Sequence, residues 1–372
     1  MLRAELVDQA VQLEALGSDW DELAVASARP YCAPGWLLSW WRAAAPADAE
    51  LRTVVVRSGH ELVGLAPFFA SQAPAGLSLR PLGAGTCTRV EPLARAGRER
   101  EVAAVAAPLL AETGAELLTL EGVPAGSPWP ELLAEAWPAR AAWLHEDERM
   151  PSPTVEVAAR SFDEWFAAKS SNFRQYIRRF GRRLQDRGAH IELVDGDQAM
   201  SGAVSAFAEL HRARWADRGG SGVLRDGVEQ AVAGAARLLP PDRFRLFLAS
   251  AGGQPVAASL FLAAGGEVTY WLGGFDDAWA DTRPQMHVIL AAIEHAMGSG
   301  DRRVDLGAGG QDYKYRFADG EEILRWVTLV PPGRGRLKTR LRLLPGQARL
   351  ELAQRLSPRQ KARLKRLLRR SP

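Results

Sequence analysis

The densest chemistry in the sequence lies at 302–317, "RRVDLGAGGQDYKYRF". An apolar strand ends at Asp305, glycines follow at 307, 309 and 310, and a polar–aromatic block, Tyr313-Lys314-Tyr315-Arg316, comes next. A strand, an acid and a glycine loop are the parts with which many proteins hold a nucleotide or dinucleotide. That use needs the loop early in its domain, opening a helix, with an acid at the end of the next strand. Here the glycines lead into "QDYKYRF", which does not begin an amphipathic helix, and one more strand, "ILRWVTLV" (323–330), ends the domain. The dinucleotide reading fails on this context. Cations interleaved with aromatic rings after a glycine turn still make a poor apolar core, so the block points to function.

Two other stretches place charge usefully. In "SSNFRQYIRRFGRRLQDRG" (170–188), Phe173, Tyr176, Ile177, Phe180 and Leu184 recur at helical spacing and define one apolar face. Arg174, Arg178, Arg179, Arg182, Arg183 and Arg187 occupy the rest, with Asp186 the one acid among them. Most would be a solvated face; some, Arg174 and Arg178 among them, could dock a phosphorylated or otherwise anionic substrate, because guanidinium suits bidentate phosphate contacts. Gly181 inside this helix costs on the order of 1 kcal/mol against Ala. In "VTYWLGGFDDAWADTRPQMHV" (268–288) a strand ends at Gly273-Gly274 and Pro284 suits the first position of a helix. The N–H groups at such a helix start can bind a phosphate, with Arg283 and Gln285 placed to reinforce it.

No histidine has a metal-ligand spacing, and Cys-x-x-Cys, GxSxG and GxxxxGK[ST] motifs are absent from the sequence. His211, in "ELHRARW" with Trp215, could face a cleft, although a lone helical histidine is more often structural. Chemistry here is expected to need neither a covalent intermediate nor a metal.

The elements that must position these residues come as a repeat. "LRTVVVRSGHELVGLAPFFA" (51–70) aligns without gaps, 193 positions on, with "FRLFLASAGGQPVAASLFLA" (244–263), and both read as β-hairpins with a glycine turn. Helices precede each hairpin (35–45; 205–219 and 228–239), and a helix and strand follow each (102–122; 287–307). The shared order predicts a duplicated α/β architecture: domains at 1–150 and 151–332, each a mixed twisted sheet flanked by helices. The boundary is placed in "EDERMPSPTVEV" (146–157), where Pro151 and Pro153 are expected to interrupt regular structure.

Composition agrees with a globular chain: 47% of residues are hydrophobic and 24% charged. The longest apolar run, 102–111, is too short to span a bilayer. The N-terminus has acids from Glu5 onward and no signal-peptide core, and Cys32 and Cys87 are too few for a disulfide framework, so a cytoplasmic protein is expected. Residues 333–372 hold 14 Lys/Arg and one acid, leaving 33 basic against 43 acidic residues in 1–332. Ser357-Pro358 starts a helix there, with Leu364, Leu367 and Leu368 as a narrow stripe. Such a basic amphipathic tail suits an anionic partner, either a membrane surface at the inner face or nucleic acid.

The run of hairpin, "WLGGFDDAW", Pro-started helix and "GDRRVDLGAGGQDYKYRF" resembles GNAT-type acetyltransferases related to the cellulose-biosynthesis CelD/BcsL proteins. These are in turn similar to Fem-type peptidyltransferases, which carry tandem GNAT-like domains. The resemblance rests on Asp305, Gly307, Gly309, Tyr313, Lys314 and Phe317, is close over about 160–330, and is looser in the first half. It implies an acyl-CoA, such as acetyl-CoA, as co-substrate, lying along Tyr270–Phe275 (Leu272 included) with its pyrophosphate at Arg283–His287 (Gln285 and Met286 included). The acceptor amine or sugar hydroxyl, on a small molecule, saccharide or cell-wall precursor, would attack directly. Asp305 becomes a candidate base or ammonium anchor, Tyr313 and Lys314 catalytic neighbours, and Lys314 and Arg316 anion binders. His211 and Trp215 join Arg174, Arg178 and Arg316 as acceptor-side candidates. GNAT enzymes also carry a glycine-containing Q/R-x-x-G-x-G/A loop, whereas "DTRPQMHV" has no glycine, as in Fem-like proteins. The alternatives are a Fem-like transfer from aminoacyl-tRNA and a non-catalytic accessory protein of polysaccharide synthesis. The first half lacks a "GAGGQDYK" counterpart and is expected to shape the acceptor side.

Overall fold

In a computed structural model, residues 2–73, 76–158, 160–216 and 219–333 are described. The basic tail, with the membrane or nucleic-acid role expected of it, lies outside them beyond Gly333. Among the described residues no helix is long and apolar enough to cross a membrane.

The chain forms a mixed α/β structure. A small sheet holds Leu2–Val7, Thr53–Ser58, Glu61–Ala66 and Leu93–Ala94. A second, eleven-stranded sheet runs through both halves. Its second-half side comprises Ala189–Leu193, Phe244–Ala251, Gln254–Ala264, Glu267–Phe275 and Arg303–Asp305; Trp143–Glu156 and Gly320–Val330 form the middle; Leu117–Pro124, Gly76–Pro81, Phe68–Ala73 and Glu50–Leu51 complete it. All neighbours are antiparallel except two pairs. Gly76–Pro81 lies parallel to Leu117–Pro124 after the helix Glu99–Glu112, and Glu267–Phe275 lies parallel to Arg303–Asp305 after the helix Pro284–Gly298. Parallel neighbours need such a crossover, and its occurrence once per half matches the repeat read from the sequence.

The two hairpins are formed, with Gly59 and Gly252 at positive φ in their turns. They differ in one respect. Gln254–Ala264 is continuous, whereas Pro67 divides its counterpart into Glu61–Ala66, which pairs in the small sheet, and Phe68–Ala73, which pairs in the large one. Proline has no N–H to give a ladder, so the strand changes sheets there.

The expected linker is instead a strand. Trp143–Glu156 runs unbroken through Pro151 and Pro153 and pairs along its length with Gly320–Val330. Both prolines turn their nitrogens to the other side, where the neighbouring strand has already ended at Asp305. On that side only acceptors are used: Pro153 and Pro151 carbonyls take the N–H groups of Leu306 (2.9 Å) and Gly309 (2.8 Å). The prolines thus sit where a missing donor costs nothing.

The halves share an apolar core. Trp36 of the first half meets Trp271 of the second edge-on at 5.1 Å, and the Trp271 indole donates to the Thr86 carbonyl at 2.9 Å. The helices Pro34–Ala44 and Val228–Leu238, equivalent in the repeat, both belong to this core.

Candidate active site

The parallel pair in the second half is the origin of the site. Glu267–Phe275 and Arg303–Asp305 stay together only as far as Thr269 and Asp305. Beyond that register the first continues as Tyr270–Phe275 while the second turns into the Gly307 loop, and a cavity of about 480 Å³ opens there. Tyr270, Leu272 and Gly273 form its strand wall, and Arg283, Gln285 and Met286 come from the start of the next helix. Gly307, Tyr313 and Lys314 close the far side, with His211 and Trp215 reaching in from the helix Asp197–Ala216. Nine of the residues singled out in the sequence are therefore brought together: Tyr270, Leu272, Arg283, Gln285, Met286, His211, Trp215, Tyr313 and Lys314.

The adjacent glycines have separate tasks. A Cβ on Gly273 would lie 2.2 Å from Gln285 Nε2 and 2.7 Å from the Tyr270 hydroxyl, inside the cavity. On Gly274 it would lie 2.4 Å from the His211 backbone nitrogen and 2.5 Å from the Leu210 carbonyl carbon. One glycine keeps the cavity open; the other lets a helix pack backbone to backbone on the strand.

The polar groups cluster: the Gln285 amide donates to Ser259 Oγ, and the Tyr270 hydroxyl is in side-chain hydrogen-bond contact with Gln285 and Tyr313. Burial raises the pKa of both tyrosines, so both keep their protons, and both hydroxyls stand at the cavity. Gln285 Oε1 is buried without a partner among the described residues. Lys314, 4% exposed, points its ammonium at the carbonyls of Gly307 (2.8 Å) and Ala308 (2.9 Å). Burial pulls that ammonium down to about 8, with Asp305 opposing. His211 contacts the Gly273 carbonyl through Nδ1 and Ser221 Oγ through Nε2, both at 2.9 Å. A carbonyl can only accept, so Nδ1 carries the proton; burial lowers the pKa and keeps the ring neutral.

Several expectations need correction. Asp305 does not touch the cavity. It is fully buried, 2.6 Å from Arg89 Nε, and accepts from Ser152 Oγ (2.5 Å) and Gly307 N (2.9 Å). A base for the acceptor would have to reach it, and these partners stand in the way. His287 turns away from the cavity towards the arginine-rich helix Ser171–Asp186, where its Cε1 would be 3.2 Å from a Cβ on Gly181. That contact explains Gly181. Arg174 is spent on the carbonyls of Ala167 and Lys169, closing the helix Phe162–Ala168. Arg178 stacks on Phe166 at 5.7 Å and Arg316 on Tyr176 at 4.9 Å; neither lines the cavity. Trp271 lies within the Tyr270–Phe275 stretch expected to carry the donor, whereas Tyr176 and Ser259 are not singled out as site residues by the sequence: the spacing of Tyr176 marks an apolar helix face, and no local signal marks Ser259.

His287 carries a pH prediction. Burial lowers its pKa from 6.5 to about 4, and Nε2 has no partner among the described residues. As pH falls from 6.5 to 4, the unfolded chain takes up this proton before the fold can, so stability falls through that window by about 3 kcal/mol. In denaturant titrations across this range, His287→Leu should remove that share of the acid loss.

Residues 171–315 match the model of an acetyltransferase (GNAT) domain family. No curated protein matches the chain. Among solved structures, FemX is similar at 11% identity over 88% of this chain and 97% of its own, with a TM-score of 0.58. The C-terminal domain of a protein described as a lysylphosphatidylglycerol synthetase from Agrobacterium fabrum is similar at 10% identity over 85% of this chain and 91% of its own, at 0.53. A conserved protein of unknown function from Bacteroides thetaiotaomicron is similar at 11% identity over 88% and 100%, at 0.52. These likenesses establish a shared fold along most of the chain. The family match covers the half that holds the cavity.

Proposed function

We propose that this protein is an acyltransferase whose donor is an acyl-CoA thioester, such as acetyl-CoA, bound in the second half. Its acceptor would be an amine or sugar hydroxyl on a cell-envelope or polysaccharide precursor, in keeping with the resemblance to CelD/BcsL-type proteins. The observation that carries this reading is the cavity between two parallel strands that part at Thr269 and Asp305. The residues present suit such a donor. Gly273 leaves room beside the strand, Gln285 Oε1 lacks the N–H that an amide of the donor arm would offer, and Arg283 stands at a helix start where phosphates are favoured. The glycine loop of GNAT enzymes is replaced by Arg283 in a left-handed conformation (φ 55°).

The chemistry asks little of the protein beyond position and charge. The acceptor attacks the thioester carbonyl, the C–S bond breaks, and the acceptor's proton leaves through the open mouth. Tyr313 keeps its proton and offers its O–H as a hydrogen bond to the departing thiolate, which takes up a proton from solvent at the open mouth in exchange for the one the acceptor sheds there. Lys314, two of whose N–H groups are taken by carbonyls, keeps the third for negative charge developing on the reacting oxygen.

One observation favours a second donor. Arg178, Arg179, Arg182 and Arg183 are exposed, and among the described residues none meets a carboxylate. An arginine face of that kind would suit aminoacyl-tRNA. The two readings separate in a thiol-release assay run against a panel of amines and aminosugars. Acetyl-CoA should release free thiol only when an acceptor is present. Transfer from charged tRNA without thiol release would select the second reading, and no turnover with either donor would leave a binding module.

A further inference from the structure

A chain of contacts runs from the first half of the protein to the cavity of the second. It begins at Arg89, in the loop after the strand Gly76–Pro81. Arg89 is 3% exposed and adopts a left-handed backbone (φ 63°), which disfavours any residue but glycine; its N–H donates to the Gly122 carbonyl at 3.1 Å. Its guanidinium lies 2.6 Å from Asp305 and 2.5 Å from Glu322. Glu322 is shared with Arg303, which also binds Glu267. Burial alone would make Arg89 easier to deprotonate, but Asp305 and Glu322 outweigh it and raise its pKa.

Asp305 passes the constraint on. Its second oxygen accepts the Gly307 N–H at 2.9 Å, which Gly307 can offer because it sits at φ 79°. The turn so held presents the Gly307 and Ala308 carbonyls to Lys314 Nζ at 2.8 and 2.9 Å. Asp305 touches neither the cavity nor Lys314 directly, and Arg89 does not line the cavity.

We infer that Arg89 is a positioning residue for the cavity: through Asp305 and the Gly307 turn, it fixes where the Lys314 ammonium sits. The inference rests on the acyl-transfer reading only in giving Lys314 a part in the reaction. It makes the first half a supplier of site geometry, beyond the acceptor-side role read from the sequence. A cation removed from this buried spot would leave the Asp305 carboxylate uncompensated and the turn free to shift.

The titratable groups facing Lys314 are few. Asp305 lies behind the turn, with Arg89, Glu322, Glu267 and Arg303 beyond it. Tyr270 and Tyr313, which keep their protons, stand at the cavity, and Arg316 follows on Lys314's own segment. Asp312 precedes Lys314 on the same short helix, and among the described residues Asp305 is the anion whose charge supports the ammonium against burial.

The test follows the Lys314 titration by NMR of the full-length protein carrying 13Cε-lysine, assigned with Lys314→Arg. In Asp305→Asn the titration, at about 8 in the parent, should fall by about 1 pH unit. Arg89→Met should raise it, Arg89→Lys should restore it, and Arg89→Met should have no effect in an Asp305→Asn background. General loosening of the site would move every variant upward towards 10.5, the ordinary lysine value. Where acyl transfer is measurable, Arg89→Met should lower kcat about 10-fold at unchanged donor KM. If Arg89→Met folds poorly, Arg89→Lys and Asp305→Asn still decide the matter. An unmoved titration in Asp305→Asn, or an Arg89 effect that survives without Asp305, overturns the inference. Correct titration shifts without turnover would leave it standing and remove the acyl-transfer reading instead.

Discussion

Gly274→Ala should destabilise the protein by about 3 kcal/mol or more, while Gly273→Ala next to it should cost clearly less. The difference lies in what each new methyl group meets. At Gly274 it meets helix backbone, His211 N at 2.4 Å and the Leu210 carbonyl carbon at 2.5 Å. Backbone in the middle of the helix Asp197–Ala216 cannot retreat without dragging buried Phe207 and Leu210 with it. At Gly273 the methyl meets the ends of two side chains, Gln285 and Tyr270, which can rotate aside, and a single backbone atom, the Ala258 carbonyl oxygen at 2.9 Å, which asks for a small shift of the neighbouring strand. The side chains would rotate into the cavity, so Gly273→Ala should lose donor binding with a smaller drop in melting temperature than Gly274→Ala. Paired thermal melts and binding titrations check both halves of this prediction. Equal destabilisation by the two substitutions would mean that strand and helix are not packed as described.

Lys314 carries the second large effect. Removal of one preorganised donor from a charge-developing site costs on the order of 10²-fold in kcat, and Lys314→Met is expected to lose about that much. The lysine should also shape the pH profile. Its ammonium titrates at about 8, so transfer should decline as pH rises through that value and the cation is lost. Arginine stays charged far above this range, and Lys314→Arg should retain part of the activity without the alkaline decline. A profile that is flat through pH 8 in the parent, or unchanged by Lys314→Arg, would remove the ammonium from the reaction.

What the sequence made legible was local. Hairpin turns at Gly59 and Gly252, the helix start at Pro284, and the strand end ahead of Gly307 depend on a few neighbouring residues, and each is found where expected. The cavity walls followed, because Tyr270, Gln285, Tyr313 and Lys314 sit on those elements. The misreadings share a different cause. Pro151 and Pro153 break structure only if their nitrogens face a strand, and that depends on where the strand Arg303–Asp305 ends. Asp305 looked like a free strand-end carboxylate because its partner, Arg89, comes from a distant loop. Arg174 looked like a ligand-binding cation because the carbonyls that engage it belong to another helix. Gly181 looked like a weakness in a helix until His287 occupied the space beside it. The proline, Asp305 and Gly181 cases are long-range contacts with no trace in local spacing; the Arg174 contact is short in sequence but depends on how two successive helices are angled.

The proposed donor, an acyl-CoA, would lie in the cavity between the parted strands. Calorimetric titration of CoA into the parent protein and into Gly273→Val, both shown to be folded by their melts, tests this placement most directly. The parent should bind saturably at one-to-one and Gly273→Val not at all, because its side chain would fill the space beside Gln285 and Tyr270. Absence of CoA binding in the folded parent, or undiminished binding in Gly273→Val, would contradict the placement.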